Sequence, residues 1–204
     1  MSETHWEQVY SKKSANEVSW FQPRADLSLK LIAATDTPYS DAIIDVGGGA
    51  STLVDDLLKT GYSNLTVLDL SAAALQTSQL RLGEAAAQVQ WIAANITTAG
   101  LPEQTYAIWH DRAVFHFLTT PAERQAYIDI LRKSLKPGGH VIIATFAEDG
   151  PMQCSGLPVM RYSPAALWAE LGSLLTLIHS EEELHYTPFN TTQKFIYCYF
   201  KYSP

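Results

Sequence analysis

Ala42-Ile43-Ile44-Asp45-Val46-Gly47-Gly48-Gly49-Ala50-Ser51-Thr52 reads as a buried strand that ends in a glycine turn and opens a helix. A carboxylate closes the strand, and Gly47 and Gly49 let the backbone approach a ligand that a Cβ would push away. The helix N-terminus behind the turn offers free N–H groups. The third glycine of a dinucleotide fingerprint is missing, because the position three after Gly49 is Thr52. That favours a cofactor without a pyrophosphate. About twenty residues on, Asp69 ends the strand-like run Leu65-Thr66-Val67-Leu68-Asp69, where a carboxylate can take both hydroxyls of a ribose. Together these features point to S-adenosylmethionine, with S-adenosylhomocysteine as its product. The bland alternative is a turn that only packs helix on strand, with Asp45 and Asp69 as solvated strand ends.

Working outward, strand-like and helix-like segments alternate from about residue 25, the pattern of a parallel sheet wrapped by helices on both faces. The fold class is α/β. Helices are expected over Arg24 to Thr35, over Thr52 to Thr60 with Ser51 as N-cap and Gly61 as C-cap, and from a Ser71 cap to Gly83. Val89 to Ala94 and Tyr106 to His110 follow as strands. Thr120-Pro121-Ala122-Glu123 is a capping box with proline in the first turn, and Pro137-Gly138-Gly139 stops the helix it starts. His140 to Phe146 reads as a central strand, Asp149 to Pro158 as a loop, and Ser163-Pro164 as the start of a short helix ending at Gly172. Leu174 to Tyr186 and Gln193 to Tyr202, joined by Thr187-Pro188-Phe189-Asn190, should pair antiparallel at the sheet edge.

No linker divides the 204 residues, so residues 1–204 are expected to form one domain with one substantial core. A net charge of −7 argues against nucleic acid and anionic membrane as partners. No apolar run is long enough to span a bilayer, the N-terminus does not resemble a signal peptide, and a cytoplasmic protein is expected. Cys154 and Cys198 suggest neither a disulfide framework nor a zinc site, so no metal is assigned.

Over essentially the whole chain these residues resemble the class I S-adenosylmethionine-dependent methyltransferases. The resemblance implies a Rossmann-like three-layer sandwich with a mostly parallel seven-stranded sheet and an antiparallel last strand. Asp45 to Gly49 is similar to the first motif, whose backbone and acid hold the methionine end, with Gly48 where Cys or Ser is more usual. Asp69 matches the ribose-binding acid, and Leu70 lies beside the adenine. Asn95-Ile96 matches the segment that reads the adenine amino group and packs on its ring, with Asn95 where Asp is common. His5 to Tyr10, with Val18-Ser19-Trp20-Phe21, resembles the N-terminal segment of certain protein-lysine methyltransferases. Trp109 to Val114 is similar instead to the fourth motif of small-molecule thiol methyltransferases of the thiopurine type. The acceptor is then a small molecule or a protein side chain, and the protein a monomer or weak dimer.

A sulfonium methyl is already electrophilic, so the chain must mainly hold an acceptor lone pair in line, with a base where the acceptor is protonated. Asp111 is the leading candidate for that base, with His110 second; His116 and Phe117 read more simply as packing. Arg112 can pair with Asp111 or clamp an acidic acceptor. Trp6, Tyr10, Trp20 and Phe21, within a lid expected over residues 1–23, can close over the cofactor, or instead anchor an N-terminal helix to the core. Competing functions are a non-catalytic cofactor-binding module that scaffolds a partner, and a nicotinamide oxidoreductase, against which the missing third glycine counts.

Overall fold

A computed structural model describes residues 3–12 and 17–203. Five strands, β1 (Ile43–Val46), β2 (Leu65–Asp69), β3 (Val89–Ala93), β4 (Tyr106–Arg112) and β5 (Leu135–Phe146), are mutually parallel. A small hairpin, β6 (Gln153–Cys154) with β7 (Leu157–Pro158), stands apart, and β8 (Leu175–Tyr186) and β9 (Thr192–Tyr202) complete the main sheet. Its order is β3-β2-β1-β4-β5-β9-β8, with β9 antiparallel to both neighbours. The order reverses between β1 and β4, and a crevice opens at the carboxyl ends of strands beside such a switch. Every residue of β1 and β2 is buried, as their continuous apolar runs require.

Two cores lie on opposite faces of this sheet. On one, α1 (Glu3–Lys12), α2 (Asp26–Ala33), α3 (Leu53–Thr60) and α4 (Ala72–Leu82) contribute Trp6, Ile32, Leu57 and Leu75. On the other, α5 (Pro121–Ser134) and α6 (Pro164–Leu171) contribute Tyr127, Leu131 and Leu167. Local chemistry sets most boundaries. The Thr120–Glu123 capping box forms reciprocally, the Ser71 hydroxyl accepts from Ala74 N at 3.1 Å, and Gly61 closes α3 at φ 108°.

Four expectations shift. At α3 the N-cap position falls on Thr52, whose hydroxyl donates instead to Gln22 O at 3.2 Å, while Ser51 Oγ takes Leu53 N. Strand β4 runs two residues beyond His110, to Arg112. Strand β5 begins at Leu135, which pairs with Tyr106 ahead of a register shift, so helix passes into strand before the Pro137–Gly139 turn. The segment 149–158 carries the β6–β7 hairpin. Among the described residues no helix is long and apolar enough to cross a membrane.

Candidate active site

The glycine turn is held from three sides. Gly47, at φ 73°, donates its N–H to Leu68 O at 2.6 Å, and a Cβ there would run into Val114. A Cβ on Gly48 would meet Asp45 Oδ2, and one on Gly49 would lie 2.5 Å from Asp69 Oδ2. The turn is thus packed against both strand-end carboxylates, and glycine is needed for space as well as for φ. From α4, Ser78 donates to Gly49 O at 2.6 Å, and Arg81 donates to Ala50 O and Ser51 O while pairing with Asp55. These α4 supports carry no sequence signature.

Two adjoining cavities open at the switch point. The first encloses about 590 Å³ of empty space, open mouth included, and its walls include Asp69, Leu70, Ala94, Ile96, Phe117 and Cys154. The second, of about 550 Å³, is walled by Asp45, Gly48, Ser28, His110 and Phe21 among others. Tyr10, Trp20, Gly47 and Arg112 line both. Of the residues singled out in the sequence, Asp69, Leu70, Ile96, Asp45, Gly47, Tyr10, Trp20 and His110 therefore converge. Gly49 and Asn95 line neither cavity. Gly49 backs the Asp69 carboxylate, and Asn95 Oδ1 is taken by the N–H and hydroxyl of Thr97 at 3.0 and 2.9 Å.

Asp69 is buried, and burial, helped by the nearby Asp45 charge, pushes its carboxyl up to about 7. It takes the Ser71 N–H at 2.8 Å. An ionised carboxylate offers roughly four acceptor sites, so capacity remains for a diol in the first cavity. His110 is fully engaged: Nδ1 meets Asp45 Oδ1 at 2.7 Å and Nε2 meets Ser28 Oγ at 2.9 Å. It fixes the Asp45 carboxylate and has no ring nitrogen left for an acceptor.

Asp111 is wholly buried and faces neither cavity. Its carboxylate accepts Val114 N at 2.9 Å, Phe115 N at 3.1 Å and the Tyr127 hydroxyl at 2.6 Å. This geometry corrects the general-base expectation, because a base must reach the proton it removes. Ala113, at φ 71°, curls the chain so that the next two N–H groups point back onto the carboxylate. Asp111→Asn is therefore expected to cost about 1–3 kcal/mol of stability through lost charge-assisted bonds, and to leave the acidic limb of any pH–rate profile unmoved. Denaturant unfolding and a pH–rate profile test this; disappearance of the acidic limb would restore the base. His116, pushed down to about 3 by burial and by Arg112, packs on Phe117 and Phe146.

The N-terminal aromatics form a wall. Trp6 stacks edgewise on Trp20 and Phe117, and Trp20 Nε1 donates to the Tyr10 hydroxyl at 3.1 Å. Residues 19–22 are clasped by distant side chains, through backbone and side-chain atoms both. Arg112 Nη1 donates to Trp20 O at 3.0 Å, His185 Nε2 to Ser19 O at 2.8 Å, and Gln193 to Ser19 Oγ at 3.2 Å. Gln22 donates to Glu183 at 2.9 Å. Trp6 belongs to the core as well, so anchor and cover coincide in one segment. Residues 1, 2 and 13–16 of the expected lid lie outside the described residues. Arg112 turns away from Asp111, donating Nε to Tyr197 at 2.8 Å and meeting Glu183 at 3.4 Å.

A family model described as a methyltransferase domain matches residues 43–139. Among curated proteins, EEF1A lysine methyltransferase 2 of Danio rerio is 23% identical over 155 residues, which is 69% of this chain and 66% of that protein, just under two thirds of its length. Among solved structures, the N-methyltransferase NodS of Bradyrhizobium japonicum WM9, in complex with S-adenosylhomocysteine, superposes with a TM-score of 0.72 at 15% identity, covering 97% of this chain and 98% of that one. The 1,6-didemethyltoxoflavin-N1-methyltransferase of Burkholderia thailandensis, with bound 1,6-didemethyltoxoflavin and S-adenosylhomocysteine, has a TM-score of 0.71 at 18% identity, covering 100% and 84%. These two likenesses bear on the fold. The matched stretch, just under half of the chain, runs from the first residue of β1 into β5 and so takes in the whole crevice half of the sheet; over it the chain is similar to a methyltransferase domain.

Proposed function

We propose that this chain methylates a small-molecule acceptor that enters a walled cavity, and that the cofactor spans both cavities. Asp69, Leu70 and Ile96 would hold the adenosine, and the Gly47–Gly48 turn with Asp45 the methionine end. Bound there, the cofactor supplies a methyl group on a sulfonium. The residues fit this role: the turn has room for backbone only, and Asp69 keeps acceptor capacity in a wall made mostly of apolar side chains. His110 and Ser28 keep the Asp45 carboxylate in place. Trp6, Tyr10 and Trp20 exclude water, and their faces suit a cationic centre.

The observation that carries the small-molecule reading is the clasped segment 19–22 over the cavities. An exposed protein side chain would have to pass beneath it. Supplied with labelled S-adenosylmethionine and separated small-molecule and protein fractions of an extract, the enzyme should label the small-molecule fraction. Label confined to protein would favour the lysine acceptor instead, and no turnover despite cofactor binding would favour a scaffolding module. Deleting residues 1–22 should lower turnover by at least about tenfold, a loss of roughly 1.4 kcal/mol or more, while the sheet still unfolds cooperatively. An unchanged rate would remove the covering role. Two free, buried cysteines support a reducing, cytoplasmic setting for this activity.

A further inference from the structure

Strand β8 carries three successive glutamates, and the fold treats them differently. Glu182 meets Lys194 at 3.0 Å and Glu181 meets Lys30 at 2.7 Å, both in pairs open to solvent, where an ion pair contributes little. Glu183 is withdrawn from water: its side chain is 17% exposed and that of its partner Arg112 11%. Its carboxylate gathers donors from three parts of the chain. One oxygen accepts Gln22 Nε2 at 2.9 Å, and the other accepts the Tyr197 hydroxyl at 3.2 Å and Arg112 Nη2 at 3.4 Å.

The sheet puts Glu183 there. Successive side chains of a strand alternate between its faces, so Glu181, Glu183 and His185 share one face, where they meet Lys30, Gln22 and Ser19 O in turn. Glu183 stands directly across from Phe195 on β9, and the Arg112 guanidinium lies 4.5 Å over that ring. The same guanidinium donates to Trp20 O at 3.0 Å. Trp20 lines both cavities and Gln22 the second, whereas Glu183 lines neither. Two of its three donors therefore lead to the segment over the cavities, one through Gln22 itself and one through Arg112 to Trp20. Taking the charge from one partner of a desolvated pair leaves the other uncompensated. The hold on Trp20 thus depends on a residue of the last strand in the sheet.

We infer that Glu183 is a positioning residue for the cofactor: it keeps Gln22 and Arg112 in place, so that Trp20 stays against both cavities, and it thereby sets how long the bound cofactor is retained. The inference rests on the cofactor reading above. A glutamine at this position keeps the shape but offers one acceptor oxygen to three donors and no charge to Arg112. The looser cover that results shows in the dissociation rate, which carries most affinity differences among variants of one site.

The test uses the full chain and S-adenosylhomocysteine. Calorimetry on the wild type comes first, since failure to bind would overturn the cofactor reading and this inference with it. With that binding in hand, labelled S-adenosylhomocysteine chased by an unlabelled excess should leave Glu183→Gln at least about tenfold faster than the wild type, equivalent to roughly 1.4 kcal/mol. Glu181→Gln removes a charge from the same face of β8 and should change the rate by less than about twofold, as befits an exposed pair. Gln22→Ala alone should also speed release, and it leaves the Arg112 pair intact should Glu183→Gln not fold. Combining Gln22→Ala with Glu183→Gln separates positioning from a general loss of stability. Because both changes break one contact, the double variant should release the ligand more slowly than the product of the two separate effects requires. Fully multiplicative effects would overturn the inference. So would a wild-type rate in folded Glu183→Gln or Gln22→Ala, or equal acceleration by the changes at 181 and 183.

Discussion

Replacing Gly47 with valine should abolish S-adenosylhomocysteine binding, weakening it by more than about 100-fold, or roughly 2.7 kcal/mol. Three effects act together at this position. The backbone sits at φ 73°, which a β-branched residue adopts only under strain. The new Cβ would drive into Val114, and the branches beyond it would project into cavities that Gly47 lines on both sides. The first two effects reduce stability and the third blocks the ligand, so both quantities must be measured. Gly47→Val combined with Val114→Ala removes the collision and should recover part of the lost stability without recovering affinity. Calorimetric binding near the wild-type value in either folded variant would mean that the cofactor lies elsewhere.

Removing the Asp69 carboxylate should affect binding and stability in opposite directions. Asp69→Ala is expected to weaken S-adenosylhomocysteine binding by about 1.5–3 kcal/mol, the range for hydrogen bonds to a charged group. Asp69→Asn addresses stability. Burial raises this carboxyl to about 7 in the fold, against about 4 in an unfolded chain, so the folded protein holds the proton more tightly. Stability from that proton is complete below about pH 4 and is lost as the pH rises through 7. Asparagine keeps the shape and never ionises. The ligand-free Asp69→Asn variant should therefore melt above the wild type at pH 8, at about 2–4 °C per kcal/mol for a chain of this length, and the difference should close towards pH 4. A pH-independent difference would mean that Asp69 is not the group responsible.

The readings that the sequence supported best are those set by short-range chemistry. The apolar runs of β1 and β2, the acids that end them, the glycine turn and the Thr120 capping box are each specified within a few residues, and they fixed the sheet and the two cavities. Asp111 was harder to read. At the end of β4 it has the same local signature as Asp69 at the end of β2, an acid closing a buried strand. The difference is made just afterwards: Leu70 and Ser71 leave the Asp69 carboxylate facing the cavity, whereas the left-handed Ala113 folds two N–H groups over that of Asp111. No residue type announces that turn, since alanine rarely takes a positive φ. Ser28, Ser78, Arg81, His185 and Gln193 were invisible for another reason. Each acts on a partner far along the chain, and only the folded sheet brings them together.

The clasp on Ser19 also bears on the order in which the molecule can assemble. Its two partners, His185 and Gln193, lie 166 and 174 residues further along the chain. On a ribosome, where chain emerges at roughly 5–20 residues per second, the N-terminal segment is out well before they are. Strands β1 to β5 pair through nearer neighbours and have no need to wait. The hold on Ser19 is therefore completed only after β8 and β9 join the sheet, whereas the contacts of Trp6 with Phe117 and of Arg112 with Trp20 O need nothing beyond residue 117. A nascent chain halted short of residue 185 would therefore carry the glycine turn and the aromatic wall but neither of the two side chains that hold Ser19.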